Sequence, residues 1–465
     1  MNNPHQNLAK IITARASRRG GSISVSTDSR AVNPGDCFFA ITGANFDGHS
    51  FVSQAIKKGA VCAVVNRNIK LPDADEKFLL RVDDTVEALG CLAVHYRTKS
   101  KFKVIAITGS VGKTTTRHII AHVLKSRHRV YQSPKNFNNQ IGVPLTLLAA
   151  KADDEFIIAE LGTNRPGEIE YLSKITRPDF AIVTNVRPAH LEGLGSLDAI
   201  TREKLSIATG LAPAGRLFIN GDCSNLVAAA RENGYQFTTF GLDQTCDVHP
   251  QTSDWNHKCS EFTIDSVSVN IPLGGKGNLE NALAAWSVCS ELGFTAQQFA
   301  DAVKSIPPVD MRAHIRRFGS IEVIDDCYNA NPASMKNALE LLSKMAASEK
   351  RRPVFVCGDM GELGEHSRKY HEELAGDIIN ANVPLVITTG PMSALAASTA
   401  KTIAAYKLEI ENFPDANAAA DNLHKFIKDY DIVLVKGSRN AALEIVVHKL
   451  QQCFIDSPLP GPDKS

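Results

Sequence analysis

A short loop of small residues that ends in Gly112, Lys113 and Thr114 has the composition of a phosphate-binding site. Glycines let backbone N–H groups approach phosphate oxygens closely, and the N-terminus of a following helix adds a partial positive charge. Lys113 adds a full positive charge, and the hydroxyl of Thr114 is the kind of group that holds Mg²⁺ beside a phosphate. The general pattern has a glycine five residues before Gly112, where this chain has Ile107. A tight turn with an incidental lysine is therefore the alternative interpretation.

Two polar side chains follow apolar, strand-like runs in the same part of the chain. Open α/β sheets bind ligands at the carboxyl ends of their strands. Glu160 directly follows the run 156–159, in the position of an acidic residue that helps to hold Mg²⁺ near a phosphate-loop threonine. His190 comes after the run 180–184 and could bind a second metal ion. A histidine after a strand is, however, more often an ordinary polar loop residue.

An asparagine-rich segment at 136–142 lies between the phosphate loop and Glu160. Its side-chain amides, including those of Asn138 and Asn139, could donate hydrogen bonds to a polar ligand. An Asx-rich turn, in which the amides bond to their own backbone, explains the composition equally well.

Two metal positions beside nucleotide phosphates suit phosphoryl transfer, because the ions neutralise charge on the transferring group. A kinase, a ligase driven by nucleotide hydrolysis and a switch NTPase all stay open on these grounds. The guanine-reading motif Asn-Lys-x-Asp is absent, which argues against a GTPase.

The elements that must position these residues are predicted from alternating apolar and helical patterns. In the middle of the chain the predicted strands are 104–107, 156–159, 180–184 and 216–219, and later in the chain they are 321–324, 354–357, 385–388 and 432–435. Strand-like pieces at 36–41 and 61–65 precede them, and a helix is predicted at 86–93. Strands that alternate with helices indicate an α/β protein with mostly parallel sheets.

Size and composition exclude several classes of protein. A chain of 465 residues suggests two to four domains. Its 51 Lys and Arg residues almost balance 50 Asp and Glu residues, so no overall charge favours nucleic acid or an anionic membrane. Neither a signal-peptide pattern nor a membrane-length apolar run is evident. The 10 cysteines form no Cys-x-x-Cys pair, which predicts free thiols in a reducing cytoplasm.

Taken together, the motifs resemble those of the Mur ligase family, from about Asp28 to Glu444. The resemblance rests on the short loop 108–114, the N-terminal segments 27–30 and 43–49, and the segments 136–142, 160–162 and 190–193. Segments 325–332, 358–364 and 436–439 are similar to the member that adds D-alanyl-D-alanine. The diaminopimelate-adding relative would show Asp-Asn-Pro-Arg, which is absent.

The resemblance implies three α/β domains and three small-molecule substrates. An N-terminal domain over 1–84 would bind the UDP substrate, a central P-loop ATPase domain with a mostly parallel sheet would span 85–312, and a Rossmann-like domain would span 313–465, with a disordered tail from about 457. The implied reaction uses ATP to join UDP-N-acetylmuramoyl-tripeptide to D-alanyl-D-alanine through an acyl phosphate. We expect a cytoplasmic monomer without nucleic-acid or membrane partners.

Matching residue by residue assigns roles by resemblance. The implied catalytic residues are Lys113, His190, Lys204 and Arg312. The implied nucleotide contacts are Thr108, Gly109, Ser110, Val111, Gly112, Lys113, Thr114, Thr115, Asn278, Asn281, Arg312 and Asp326. The implied substrate contacts are Ser29, Arg30, Gly43, Asp47, Gly48, His49, Asn138, Asn139, Thr163, Asn164, Tyr328, Asn329 and Asn331. Two Mg²⁺ sites are implied, held by Thr114, Glu160, His190 and Lys204.

Two positions depart from the family pattern. Several Mur ligases carry a CO₂-derived carbamate on the lysine that matches Lys204, but here Ser206 replaces the usual glutamate. An unmodified surface lysine is the alternative. Gly277 stands where a histidine usually precedes Asn278. The functional alternatives are a sister Mur ligase that adds another amino acid, a catalytically silent nucleotide-binding relative, and a small-molecule kinase.

Overall fold

A computed structural model describes residues 10–12, 24–43, 46–71, 73–134 and 136–455. The tail predicted from about 457 lies outside these residues. Four sheets organise the part of the chain that is described. Short 3-10 turns lie at Gly48–Phe51, Asp73–Phe78, Ser206–Gly210, Gly364–His366, Leu423–Lys425 and Arg439–Ala441.

The first sheet has four parallel strands in the order β1-β2-β3-β4. They are β1 Val25–Ser26, β2 Cys37–Phe39, β3 Cys62–Val65 and β4 Leu79–Arg81, with helices α1 Val52–Lys57 and α2 Thr85–Lys99. The Asp84 carboxylate caps α2 by accepting hydrogen bonds from the N–H groups of Val86 and Glu87, at 2.7 and 2.8 Å. Both strand-like segments predicted here are present, and the predicted helix is longer than 86–93.

The second sheet carries the phosphate loop and has six parallel strands in the order β10-β9-β8-β5-β7-β6. The strands are β5 Lys103–Thr108, β6 Val130–Gln132, β7 Phe156–Glu160, β8 Phe180–Val183, β9 Arg216–Asn220 and β10 Phe237–Phe240. The helices are α3 Lys113–Leu124, α4 Gly142–Ala149, α5 Glu168–Thr176, α6 Leu191–Leu194, α7 Leu197–Leu205 and α8 Ser224–Glu232. The four runs predicted here form strands, and their ends move by a residue at most. They read as continuous apolar runs because helices cover both faces of the sheet.

A third sheet, which the sequence analysis did not predict, is antiparallel with the order β11-β12-β13. Its strands are β11 Thr252–Trp255, β12 Ser260–Ile264 and β13 Val267–Ile271, and helices α9 Lys276–Glu291 and α10 Ala296–Val303 follow. Buried Phe262 and Ile264 alternate with the more exposed Glu261 and Thr263, which is typical of a sheet with one face in contact with water.

The fourth sheet has six strands in the order β14-β15-β19-β16-β17-β18, parallel except for the β14–β15 pair. The strands are β14 His314–Phe318, β15 Ile321–Asp325, β16 Pro353–Gly358, β17 Leu385–Thr389, β18 Glu409–Phe413 and β19 Ile432–Lys436. The helices are α11 Pro332–Glu349, α12 Ser367–Asn380, α13 Pro391–Ile403, α14 Ala416–Asn422 and α15 Glu444–Phe454. The strands that were not predicted, β14 and β18, lie at the two edges, where exposed charges interrupt the apolar pattern.

Helix α11 joins the fourth sheet to the third. The Lys344 ammonium lies 3.4 Å from the centre of the Trp255 ring and donates to the Trp255 carbonyl at 3.1 Å. One turn further on, Glu349 Oε1 lies 3.1 Å from His257 Nε2. These contacts fix α11 against the loop that connects β11 and β12.

All 10 cysteines fall within the described residues and none forms a disulfide there, as the sequence predicted; seven of them are buried. Among the helices that the structure describes, none is both long and apolar enough to cross a membrane.

Candidate active site

The phosphate loop connects β5 to α3 and is shaped for close backbone approach. Gly112 has φ +88°, and a methyl group on it would lie 2.0 Å from the Asn281 side-chain oxygen. A residue with a side chain would therefore be strained and would also collide with α9. Glycine is therefore required at this position, which argues against the alternative of a tight turn with an incidental lysine.

Hydrogen bonds from the end of β8 hold this loop in place. The Val111 N–H donates to Asn185 Oδ1 at 3.0 Å, and the Thr184 hydroxyl donates to the Val111 carbonyl at 2.6 Å. The Ser110 hydroxyl donates to the carbonyl of Arg187 at 2.8 Å. The loop is thus preorganised by the neighbouring strand. Asn185 was not predicted, although it directly follows the predicted strand 180–184.

Lys113 begins α3 and points back over the loop. Its Nζ donates to the Gly109 carbonyl at 2.6 Å. Burial lowers the pKa of Lys113 to about 8, while the nearby Glu160 carboxylate opposes that shift. A half-buried lysine that lines a cavity beside the loop backbone favours a polyanionic ligand such as a phosphate chain.

Glu160 ends β7 directly beside the first turn of α3. Its Oε2 accepts from the Thr114 hydroxyl at 3.2 Å, and its Oε1 lies 3.1 Å from Arg117 Nη1. The carboxylate is almost fully buried. A hydroxyl and a carboxylate in contact form an oxygen set that suits Mg²⁺. The sequence analysis did not single out Arg117, although it lies one helical turn after Lys113.

Lys204 lies on α7 and is fully buried, so the surface-lysine alternative is wrong. Its Nζ has no hydrogen-bond partner within the described part of the chain. Burial, reinforced by the positive charge of Lys113, holds the pKa of Lys204 well below its usual range. An unpaired amine in the interior is costly, and such groups are found mainly where they have a function.

His190 directly precedes α6 and has φ +56°, an uncommon backbone conformation for a residue with a side chain. Its Nδ1 lies 2.6 Å from Glu362 Oε2, in the loop that follows β16. Burial lowers the pKa of His190, and the Glu362 carboxylate opposes that shift. The ring is therefore fixed by a carboxylate from a different sheet.

Two cavities of about 440 Å³ and about 1080 Å³ meet at the phosphate loop. Residues that line both are Val111, Gly112, Thr115, Arg312 and Ser334. Predicted residues that line only the smaller cavity are Asn278, Asn281 and Asp326. Predicted residues that line only the larger cavity are Ser110, Lys113, Thr114, Asn138, Asn139, Glu160, Thr163, Asn164, His190, Tyr328, Asn329 and Asn331.

The smaller cavity is closed by polar contacts from the fourth sheet. The Asp326 carboxylate accepts from Lys436 Nζ at 2.6 Å and from the Ala313 N–H at 3.1 Å. The Arg312 guanidinium lies 4.2 Å from the centre of the Tyr328 ring. Lys436 lies in the segment 436–439 that carried the resemblance, but it was not predicted as a site residue.

Two asparagines that line the larger cavity also stabilise the backbone around them. Asn139 Oδ1 accepts from the N–H groups of Ile141 and Gly142, so the segment is an Asx turn that begins α4. Asn331 Oδ1 accepts from the Ser334 N–H at 2.9 Å and caps α11. Turn formation and cavity lining are therefore combined in the same residues.

The predicted N-terminal substrate contacts are not brought into these two cavities. Of that sheet's residues, Ile41 and Thr42 reach the larger cavity, whereas the predicted contacts Ser29, Arg30, Gly43, Asp47, Gly48 and His49 are not among the residues that line it. Predicted residues Thr108, Gly109 and Lys204 are also absent from both linings.

Internal hydrogen bonds occupy the side chains of Asp47 and His49, at the start of the 3-10 turn Gly48–Phe51. His49 Nδ1 lies 2.8 Å from Asp47 Oδ1, and His49 Nε2 accepts from the Asn66 N–H at 3.3 Å. Arg67 holds the other Asp47 oxygen at 2.8 Å. Asp47 and His49 therefore stabilise the turn whether or not a ligand is present.

Three family models match the chain in the order of its sheets. "Mur ligase family, catalytic domain" matches residues 24–97, "Mur ligase middle domain" matches 107–289, and "Mur ligase, glutamate ligase domain" matches 311–439.

Relatives and solved structures match over almost the full length. The UDP-N-acetylmuramoyl-tripeptide--D-alanyl-D-alanine ligase of Bacillus subtilis (strain 168) is 34% identical over 440 residues, covering 94% of this chain and 93% of the relative. The enzyme of that name from Escherichia coli (strain K12) is 33% identical, with 92% and 94% covered. A crystal structure of MurF from Acinetobacter baumannii matches with a TM-score of 0.84 at 29% identity, covering 96% of this chain and 98% of that one. MurF from Thermotoga maritima in complex with ADP matches with a TM-score of 0.79 at 28% identity, covering 92% and 97%. This chain belongs to the Mur ligase family.

Proposed function

We propose that the chain is an ATP-dependent amide ligase that joins D-alanyl-D-alanine to UDP-N-acetylmuramoyl-tripeptide and forms the UDP-linked pentapeptide precursor of peptidoglycan. One observation carries the proposal. The phosphate loop lies where the two cavities meet, with Lys113 in the larger one and Arg312 in both. A nucleotide in the smaller cavity would thus present its last phosphate to a substrate in the larger cavity. The names of the relatives support the choice of substrates.

The chemistry requires an activated carboxylate, because a free carboxylate is a poor electrophile. The tripeptide carboxylate attacks the terminal phosphorus of ATP, and ADP leaves with the electron pair of the broken P–O bond. The dipeptide amine then attacks the carbonyl carbon of the acyl phosphate, loses a proton and expels phosphate. Lys113 and the loop N–H groups stabilise negative charge on the phosphates throughout.

The residues present fit Mg²⁺ in two places. Thr114 and Glu160 offer the first oxygen set, and the oxygens of a carbamate on Lys204, together with His190, would complete a second. Bound metal would supply charge neutralisation on the transferring phosphoryl group. Because the Lys204 amine is buried and unpaired and its pKa is lowered, its unprotonated form can add CO₂ and release a proton. The resulting carbamate would place one negative charge, shared by two oxygens, where an ammonium would repel a metal ion.

The finer assignments complete the proposal. We infer that the smaller cavity takes the adenosine part of ATP between Asn278, Asn281 and Asp326. The dipeptide would bind near Tyr328 and Asn329 in the larger cavity. The UDP part would lie towards the N-terminal sheet, near Ser29, Arg30, Gly43 and residues 47–49. The division into domains at 84 and 312, the monomeric state and the cytoplasmic location belong to the same proposal, and the free thiols are consistent with that location.

Phosphate release from ATP, measured with UDP-N-acetylmuramoyl-tripeptide and with or without D-alanyl-D-alanine, tests this function. Release that requires the dipeptide, together with a pentapeptide product by mass spectrometry, is the expected result. Stimulation by a free amino acid instead would identify a sister ligase, and a stable phosphorylated product would identify a kinase. No release under any of these conditions would favour a silent nucleotide-binding relative.

A further inference from the structure

Glu362 lies in the loop after β16, yet its side chain reaches a residue that precedes α6. Its Oε2 is 2.6 Å from His190 Nδ1. The backbones of the two loops are also joined, because the Glu192 N–H donates to the Glu362 carbonyl at 3.0 Å. A methyl group on Gly364 would lie 3.1 Å from the Glu192 Cα, so the two loops are packed closely.

The contact decides which ring nitrogen of His190 is available. A carboxylate accepts but does not donate, so in the neutral His190 ring the protonated nitrogen is the one that faces Glu362. The other nitrogen, Nε2, then keeps a lone pair. Histidines that bind metal ions usually show this arrangement, in which a carboxylate holds the non-coordinating N–H and fixes the ring orientation.

Backbone conformation supports a dedicated role for Glu362. Both partners are non-glycine residues with positive φ, +56° for His190 and +61° for Glu362. Strain of this kind persists where the surroundings fix the conformation. Positive φ at both partners of one contact therefore indicates that the surroundings hold these two loops in place.

We propose that Glu362 is a positioning residue that orients His190 towards a divalent metal ion at the phosphate loop. The proposal rests on the metal role given to His190 under the proposed function. It adds that the fourth sheet supplies part of this metal site without contacting the ion. The site is therefore complete only when the loop 359–364 is docked against 190–193.

A pair of amide variants tests the proposal. Glu362→Gln keeps the length of the side chain and an accepting oxygen. Glu362→Asn is one methylene shorter and tolerates positive φ well, so it spares the backbone. Glu365→Ala is the matched control, because Glu365 directly follows this loop and its side chain is 90% exposed.

The measurement is Mn²⁺ binding to the full-length protein, followed by electron paramagnetic resonance with a non-hydrolysable ATP analogue present. Protein labelled with ¹⁵N-histidine additionally reports the Mn²⁺–imidazole coupling. We expect Glu362→Asn to weaken binding of the second ion about 10- to 100-fold and to reduce the coupling, and Glu362→Gln to stay within about threefold of wild type. Glu365→Ala should bind as wild type does.

Three results would overturn the proposal. Unchanged affinity and coupling in Glu362→Asn would show that the contact does not orient the ring. An equal loss of Mn²⁺ affinity in Glu362→Gln and Glu362→Asn would mean that the negative charge of Glu362, and not its accepting oxygen, supports metal binding. An equal loss of Mn²⁺ affinity in Glu365→Ala would mean that any negative charge near this loop has the same effect. The dipeptide-dependent assay on wild type is separate, so failure of the proposed ligase function can be distinguished from failure of this inference.

Discussion

Replacing Lys204 by methionine should make the protein more stable and inactive at once. The wild-type amine is fully buried without a hydrogen-bond partner in the described structure. An unsatisfied buried polar group costs about 1–3 kcal/mol, and methionine fills a similar volume without that cost. We therefore expect the free energy of unfolding to rise by about 1–3 kcal/mol in buffer free of CO₂ and metal. Dipeptide-dependent phosphate release should fall to background.

The stability difference between Lys204→Met and wild type should depend on pH in a definite direction. Burial lowers the pKa of Lys204 in the folded protein, so between that pKa and the ordinary value of 10.5 the unfolded chain binds the extra proton. Stability of the wild type then rises with pH across this window, because the unfolded state holds more protons. The methionine variant lacks this contribution. Its advantage over wild type should therefore shrink as the pH is raised towards 10.5.

Urea unfolding followed by circular dichroism, at several pH values, measures both effects. Lys151→Met is the control, because Lys151 is exposed and its loss should change neither stability nor turnover much. In ¹³C-labelled bicarbonate, the wild type should show a carbamate resonance that Lys204→Met lacks. The reasoning is refuted if Lys204→Met is less stable than wild type near neutral pH, or if its advantage does not change with pH.

Three further predictions concern the phosphate loop and the cap of α11. Lys113→Ala should reduce turnover about a hundredfold or more, while calorimetry should show unchanged binding of the UDP substrate. Normal turnover in this variant would contradict the assignment of the phosphate loop. Gly112→Ala should weaken ADP binding about tenfold or more in the same assay, because φ is +88° and the methyl would lie 2.0 Å from Asn281 Oδ1. Asn331→Ala removes the side-chain oxygen that accepts from the Ser334 N–H and caps α11. It should lower the free energy of unfolding, measured in urea, by about 1 kcal/mol. An unchanged unfolding midpoint would show that the cap is unimportant.

The buried strands were predictable because they are apolar on both faces. The run 104–107 lies within β5, where these residues are all buried because helices cover both faces of the sheet. The edge strand β18, with Glu409 and Glu411, has no such run and was missed. Strand β12 alternates buried and more exposed residues, so it contains no continuous apolar run.

Much of the candidate site was also predictable, for a topological reason. Lys113, Glu160 and His190 follow strands of one parallel sheet, and the carboxyl ends of such strands share an edge. The contact between His190 and Glu362 could not be predicted in this way. It depends on how two sheets pack. It also depends on a positive φ at Glu362, and a glutamate, unlike a glycine, does not predict that conformation.

Helix α11 touches the smaller cavity at one end and the antiparallel sheet at the other. Its first turns carry Ser334 and Asn337 at the cavity wall, and its last turns carry the contact of Lys344 with Trp255. The 18 residues act as one rigid rod, about 27 Å long. Under the proposed function we therefore expect nucleotide binding in this cavity and the Lys344 contact to be thermodynamically linked. A change that releases Lys344 from Trp255 should lower the apparent nucleotide affinity. Bound nucleotide should in turn protect the contact.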